Sequence, residues 1–118
     1  MKKLLALIIM AIATTASAQT LPEMTSFSQQ QIFTHWVQNR CIGKITQDKL
    51  LIDDARKSAA AWLEFSQLPV EDFQAADKFI DAALKQKISG SVESQYQVLK
   101  CTLIANSDDI QAIFSRSK

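Results

Sequence analysis

The sequence predicts an all-α protein, a compact single-domain bundle of about five helices stapled by one disulfide. Three observations carry this expectation. Apolar side chains recur at helical spacing in successive stretches from Ile32 onward. Helix-start residues stand ahead of those stretches, among them Ser28, Thr46, Pro69 and Ser107. No stretch alternates apolar and polar residues convincingly at period two, so strands are not expected.

The first eighteen residues are read apart from the fold. Lys2 and Lys3 make a positive start, Leu4 to Ala13 form an unbroken apolar run, and Ala16-Ser17-Ala18 is a small-x-small site. This is the pattern of a secretory signal peptide cleaved between Ala18 and Gln19. The apolar run is shorter than the ~20 residues a spanning helix needs. No cysteine follows the cleavage site, so the expected product is soluble and exported, without a lipid anchor or membrane association. The layout is then a signal peptide over 1–18, a loose polar arm over 19–26 that contains Pro22, and one helical domain over 27–118.

Removal of Lys2 and Lys3 takes the formal charge from +1 to −1. Such a balance does not suit nucleic acid, which asks for a concentrated basic face. Two cysteines are present, Cys41 and Cys101. In an exported chain they are expected to pair, closing a loop of about 60 residues with a stabilisation of about 4 kcal/mol in the chain-entropy picture. Two free buried thiols are the alternative. No C-x-x-C and no histidine cluster is present, so neither redox chemistry nor a metal site nor any cofactor is expected.

The first helix opens with a capping box, Ser28 with Gln31, flanked by Phe27 and Ile32 at staple positions. Its inward face is Ile32, Phe33, Trp36, Val37 and Cys41, and Gly43 is expected to stop it. The second starts at a Thr46 cap with Ile45 and Leu50 as the staple, and its apolar line is Leu51, Ala55, Ala59, Trp62 and Phe65. Asp53 and Lys57 form an opposite-charge pair on its wet side. The third begins with Pro69 at the first helical position, with Leu68 as cap and Glu71 reaching back to it. Phe73, Ala76, Ile80, Ala83 and Leu84 turn inward there, while Asp72, Asp77, Lys78, Asp81 and Lys85 make the polar face.

The stretch Gln86 to Ser91 breaks the pattern at Gly90, with Ser89 or Ser91 able to cap the next helix. This fourth helix is expected to present Val92, Tyr96, Leu99 and Leu103 to the core, with Cys101 on its flank beside Val98. Ser107 caps a short last helix, with Asp108 and Asp109 at its positive end and Ile110 and Ile113 as anchors.

A catalytic constellation is missing. His35 is the single histidine and has no nucleophile or metal ligand spaced to join it. Acid pairs such as Asp53/Asp54 and Asp77/Asp81 are ordinary on a solvated helix face. No G-x-S-x-G, P-loop or H-E-x-x-H is present. Trp36 and Trp62 fall on apolar lines and read as core. The segment Lys87 to Glu93 is different in kind. It reads either as a connector or as a narrow loop able to enter a partner's cleft, since small residues let a backbone approach closely.

Three blocks carry a resemblance: Arg40-Cys41-Ile42-Gly43, the segment SAAAWLEFSQLPVE from Ser58 to Glu71, and Ser89-Gly90-Ser91 followed by Tyr96 to Cys101. With the leader, they resemble the periplasmic immunity proteins that protect Gram-negative bacteria from peptidoglycan amidase effectors of the type VI secretion system. The similarity runs roughly from Phe27 to Ser107. It implies a small helical homodimer with its two cysteines joined, whose partner is a cognate cysteine-type amidase that cleaves peptide stems of the cell wall. It also implies inhibition by covering the enzyme's active-site groove, and no enzymatic activity of its own. The family's inhibitory loop would match Lys87, Ile88, Ser89, Gly90, Ser91, Val92 and Glu93, with Asp72, Asp77 and Asp81 as a neighbouring acidic contact face. The competing reading is a periplasmic acid-stress chaperone, which would hold unfolded clients by exposing apolar surface at low pH.

Overall fold

The computed structural model describes residues 20–117. The leader and its cleavage site at Ala18 and Gln19 lie outside the described residues. A short 3-10 turn, Met24–Ser26, precedes five α-helices: α1 (Gln29–Ile45), α2 (Lys49–Glu64), α3 (Val70–Ala83), α4 (Gln97–Ala105) and α5 (Asp108–Arg116). Among the described residues no strand forms.

α1 is the axis of the molecule and packs against each of the other four helices. Its start follows the expected capping box, with Ser28 accepting from the Gln31 N–H and the Gln31 side chain accepting from the Ser28 N–H. Ile32, Phe33, Trp36, Val37 and Cys41 are all buried. Phe33 and Trp36 meet Phe73 of α3 edge to face, with centroids 5.5 and 4.9 Å apart, and Phe33 stacks on Phe114 of α5 at 6.5 Å. Edge-to-face contacts of this kind add to the area the rings remove from water. Ala76, Ile80, Ala83, Ile104, Ile110 and Ile113 complete the core.

The Cys41–Cys101 disulfide is formed and joins α1 to α4, 60 residues apart in sequence with Cα atoms 5.5 Å apart. Both cysteines are fully buried, so the bridge runs through the core rather than across the surface.

Several local expectations are corrected. α1 does not stop at Gly43 but runs on to Ile45. A Cβ at Gly43 would meet Ala55 Cβ of α2 at 3.5 Å, an ordinary contact, so the glycine neither ends the helix nor is demanded by space. α2 is capped by Asp48, whose carboxylate accepts from the Leu50 N–H, while Thr46 Oγ1 accepts from the Asp48 N–H. With the cap moved two residues on, Leu50 no longer sits at the staple position and is exposed. α3 takes Pro69 itself as cap. Proline has no N–H, so Glu71 has nothing there to reach back to.

The largest correction concerns α4. Leu99 and Leu103 are exposed, as are Val92 and Val98, and the helix instead buries Lys100, Cys101, Ile104 and Ala105. Cys101 is held against α1 by the disulfide. Leu99 and Leu103 lie two positions to either side of it, which on a helix of 3.6 residues per turn puts them on the far side. The buried Lys100 packs its aliphatic stem inward and donates from Nζ to the Leu84 carbonyl at 3.2 Å, at the C-terminal cap of α3, where a cation suits the helix dipole.

Two amide side chains fasten α1 to its neighbours. Gln29 donates from Nε2 to the Phe65 carbonyl at 3.0 Å and accepts on Oε1 from the Gln67 N–H at 2.8 Å, which fixes the corner after α2. Gln111 of α5 accepts from Gln30 Nε2 at 2.6 Å and donates to Thr34 Oγ1 and the Ala105 carbonyl.

Candidate functional site

Residues 84–96, between α3 and α4, form a stretch without helix or strand. Its length is near the upper end for a connection in a compact domain, where long loops are usually functional. Its root is held. Lys100 binds the Leu84 carbonyl, and half-buried Ile88 lines a groove of about 240 Å³ with Phe79, Ala83, Leu103 and Ile104. Ile88 therefore belongs to the anchor more than to the exposed tip. Residues 89–95 are all exposed, Val92 among them at 69%.

The fourth helix begins at Gln97, behind Tyr96, and not at Val92. Tyr96 is the N-cap of α4 with φ 50° and ψ 39°, the left-handed region that costs an ordinary residue about 1 kcal/mol or more. Its hydroxyl accepts from the Val92 N–H at 3.0 Å and donates to the Val92 carbonyl. Both backbone polar groups of Val92 are thus taken up by one side chain. Neither Ser89 nor Ser91 caps α4, and α3 ends at Ala83, well before Gly90. Gly90 lies beside the Tyr96 ring, where a Cβ would come within 2.6 Å of the hydroxyl oxygen and 2.7 Å of Cζ.

The acids of α3 are engaged with the bundle. Asp77 Oδ1 takes the Arg40 Nε at 2.7 Å and the Lys44 Nζ at 3.2 Å, and the same Lys44 reaches Asp81 Oδ1 at 2.7 Å. Burial alone would push the Asp77 carboxyl up, but hydrogen bonds from Arg40 and Lys44 and their charges outweigh it and hold the group below the ordinary aspartate value. Asp72 accepts from the Ser117 hydroxyl. Asp81 keeps 60% of its side chain exposed and is the most open of the three to an incoming charge. Loop and acids thus sit on or beside the same helix, the loop at its C-terminal end and Asp72 in its first turn.

His35 packs among aromatic rings. It lies over Trp62 at 4.7 Å with Phe27 edge-on at 5.4 Å, an aromatic cluster that closes α1 on α2. Among the described residues no group of three or more His, Cys, Asp or Glu side chains is placed to hold a metal ion, and no helix is long and apolar enough to cross a membrane. The residue that sequence reasoning misses is Tyr96, which reads as one more apolar position on a helix face. Its one available signal is a lone tyrosine six positions after a glycine in a break.

A stiff, disulfide-stapled helical scaffold that projects one braced loop defines a class of protein that works by recognition. The comparisons are more particular. Residues 31–114 match the Tai4 family, described as type VI secretion system (T6SS) amidase immunity protein. The chain belongs to that family, whose members are immunity proteins and not enzymes. Among solved structures, it is 61% identical to a chain in the crystal structure of the effector Tae4 from Salmonella typhimurium in complex with the immunity Tai4 from Enterobacter cloacae. That match covers 80% of this chain and 98% of the other, with a TM-score of 0.79. The Tae4–Tai4 effector–immunity complex from Enterobacter cloacae matches at the same identity and TM-score, over 82% and 99% of the two chains. A chain of the Tae4/Tai4 system from Salmonella typhimurium shares the fold at 24% identity and a TM-score of 0.73, over 82% and 96%. No curated protein sequence matches.

Proposed function

We propose that the chain neutralises its effector, a Tae4-type amidase, by seating residues 87–93 in the enzyme's active-site groove. The observation that carries this is the loop itself: an exposed tip of small residues, Ser89, Gly90 and Ser91, on a rigid core that anchors both of its ends. Occlusion requires no catalytic group on the inhibitor, only a shaped protrusion whose ordering cost has been met before binding. Of the α3 acids Asp72, Asp77 and Asp81, Asp81 is the one left most open to a cationic group of the effector, its side chain 60% exposed, while Asp77 is taken up by Arg40 and Lys44.

The reading extends to a cysteine-type amidase acting on peptide stems, to action in the periplasm after removal of residues 1–18, and to a homodimer. A buried disulfide supports export to an oxidising compartment. Exposed Val98, Leu99 and Leu103 on α4, with Leu63 and Phe65 near the end of α2, supply apolar surface that supports self-association. Light scattering on the purified mature chain reads the dimer directly, and a monomer at working concentration overturns it.

The test of the loop uses Ser91→Arg and a deletion of Ser89 to Ser91, each assayed against the Tae4 effector from Enterobacter cloacae. Expected is loss of inhibition of peptidoglycan cleavage with an unchanged circular dichroism spectrum and intact disulfide. Full inhibition by both variants reduces the loop to a connector.

A further inference from the structure

Gly90 and Tyr96 are fitted to each other. No glycine in the described chain has a positive φ, so Gly90 is not there for backbone freedom. A Cβ there would come within 2.6 Å of the Tyr96 hydroxyl oxygen, so any other residue would have to displace the end of that ring. The ring in turn carries its hydroxyl onto Val92, accepting from the N–H at 3.0 Å and donating to the carbonyl oxygen. Tyr96 holds this posture from a left-handed backbone, steadied by its own N–H donating to Ser94 Oγ at 3.2 Å.

One side chain thus closes the tip of the loop upon its own root, and both backbone hydrogen-bonding groups of Val92 are satisfied without a helix or a partner. We propose that Tyr96 is the positioning residue of the loop: its hydroxyl on Val92 and its ring beside Gly90 hold residues 89–95 in a binding-ready shape before any amidase arrives. The proposal rests on the loop reading given above, but it concerns the free protein first. A loop shaped in only a fraction of molecules lowers apparent affinity by that fraction, through the association rate. A side chain that grips the enzyme directly acts on dissociation instead.

The experiment uses four variants. Tyr96→Phe keeps the ring and removes both hydrogen bonds. Gly90→Ala pushes a methyl against the ring. Tyr96→Asn, alone and combined with Gly90→Ala, removes the obstacle while leaving a residue that tolerates the left-handed region. Amide exchange of Val92, followed by NMR on the free mature chain, is expected to be about tenfold faster in Tyr96→Phe than in the wild type, as loss of two hydrogen bonds implies. Affinity for the Enterobacter cloacae Tae4 effector is expected to fall about three- to tenfold in the same variant, through a slower association rate with dissociation unchanged. Gly90→Ala is expected to weaken binding alone but to add nothing in the Tyr96→Asn background.

Unchanged Val92 exchange in Tyr96→Phe overturns the brace. So does a Gly90→Ala effect that is the same with and without the tyrosine. If affinity survives Tyr96→Phe while Ser91→Arg abolishes it, the loop reading stands and the positioning role falls. If Ser91→Arg also binds normally, the loop reading fails and takes the brace's part in inhibition with it.

Discussion

Arg40 of α1 donates from Nε to Asp77 Oδ1 of α3 at 2.7 Å, and Lys44, one turn further along α1, reaches the same oxygen at 3.2 Å. Two cations from one helix thus share one carboxylate of another, and the carboxylate is held charged below its usual range. Because the folded-state value is depressed, the unfolded chain binds the proton more tightly, and the stabilisation is complete only above the unfolded value of about 4. It is lost as pH falls through the folded value. Arg40 is 38% exposed, so solvent screening keeps the network to about 1 kcal/mol. Urea melts of the wild type and Asp77→Asn should differ by that amount at pH 7, and the gap should shrink as pH falls below the unfolded value of about 4 and close only below the folded one. A gap that stays equal as pH falls contradicts the assignment.

Reduction of Cys41–Cys101 removes a cross-link 60 residues long in sequence. The chain-entropy account expects a loss of about 4 kcal/mol. The Cys41→Ala, Cys101→Ala double variant should melt with the reduced protein, and thiol alkylation without reductant should modify neither cysteine of the wild type.

Phe33 has no exposed surface and touches Phe73 and Phe114 together. Phe33→Ala should cost about 3–5 kcal/mol, enough to leave the domain marginal when combined with a reductant. Denaturant midpoints measured with the disulfide intact read this loss most cleanly.

Gly43→Ala should go the other way. The position is helical, and an added methyl meets Ala55 Cβ at ordinary contact distance. Replacing a helical glycine by alanine stabilises by about 0.5–1 kcal/mol. A lower melting temperature would mean that α1 and α2 have no room to accept the methyl.

Gln29→Ala breaks the amide clamp on the Phe65 carbonyl and the Gln67 N–H. Both bonds are solvent-accessible, so the expected loss is about 1 kcal/mol. Gln29→Glu should lose nearly as much, because a carboxylate can accept from Gln67 but cannot donate to Phe65.

Much of this architecture is legible in the chain. Ser28 and Gln31 announce the start of α1, Ser107 that of α5, and the inward faces of α1 and α3 follow from spacing alone. The errors cluster where a choice depended on something distant. The α2 cap is the exception, since Thr46 and Asp48 stand two positions apart and the helix uses Asp48, the stronger cap residue of the two. The acids of α3 look like an open charged face until α1 brings Arg40 and Lys44 beside them.

The helical class, the central helix with its apolar face, the expectation of a cysteine pair and the position of the break between α3 and α4 are all written in the chain. These rest on periodicity, capping chemistry and a count of thiols, which are local or compositional properties. Which side of α4 is buried, and what stands beside Gly90, emerges only from the packing. A short helix bearing leucines on one side and Ile104, Ala105 and a long lysine stem on the other can pack either way. The side carrying Cys101, Ile104 and Ala105 packs against the core, and Leu99 and Leu103 face solvent. At Gly90 the end of the Tyr96 ring stands where a side chain would be.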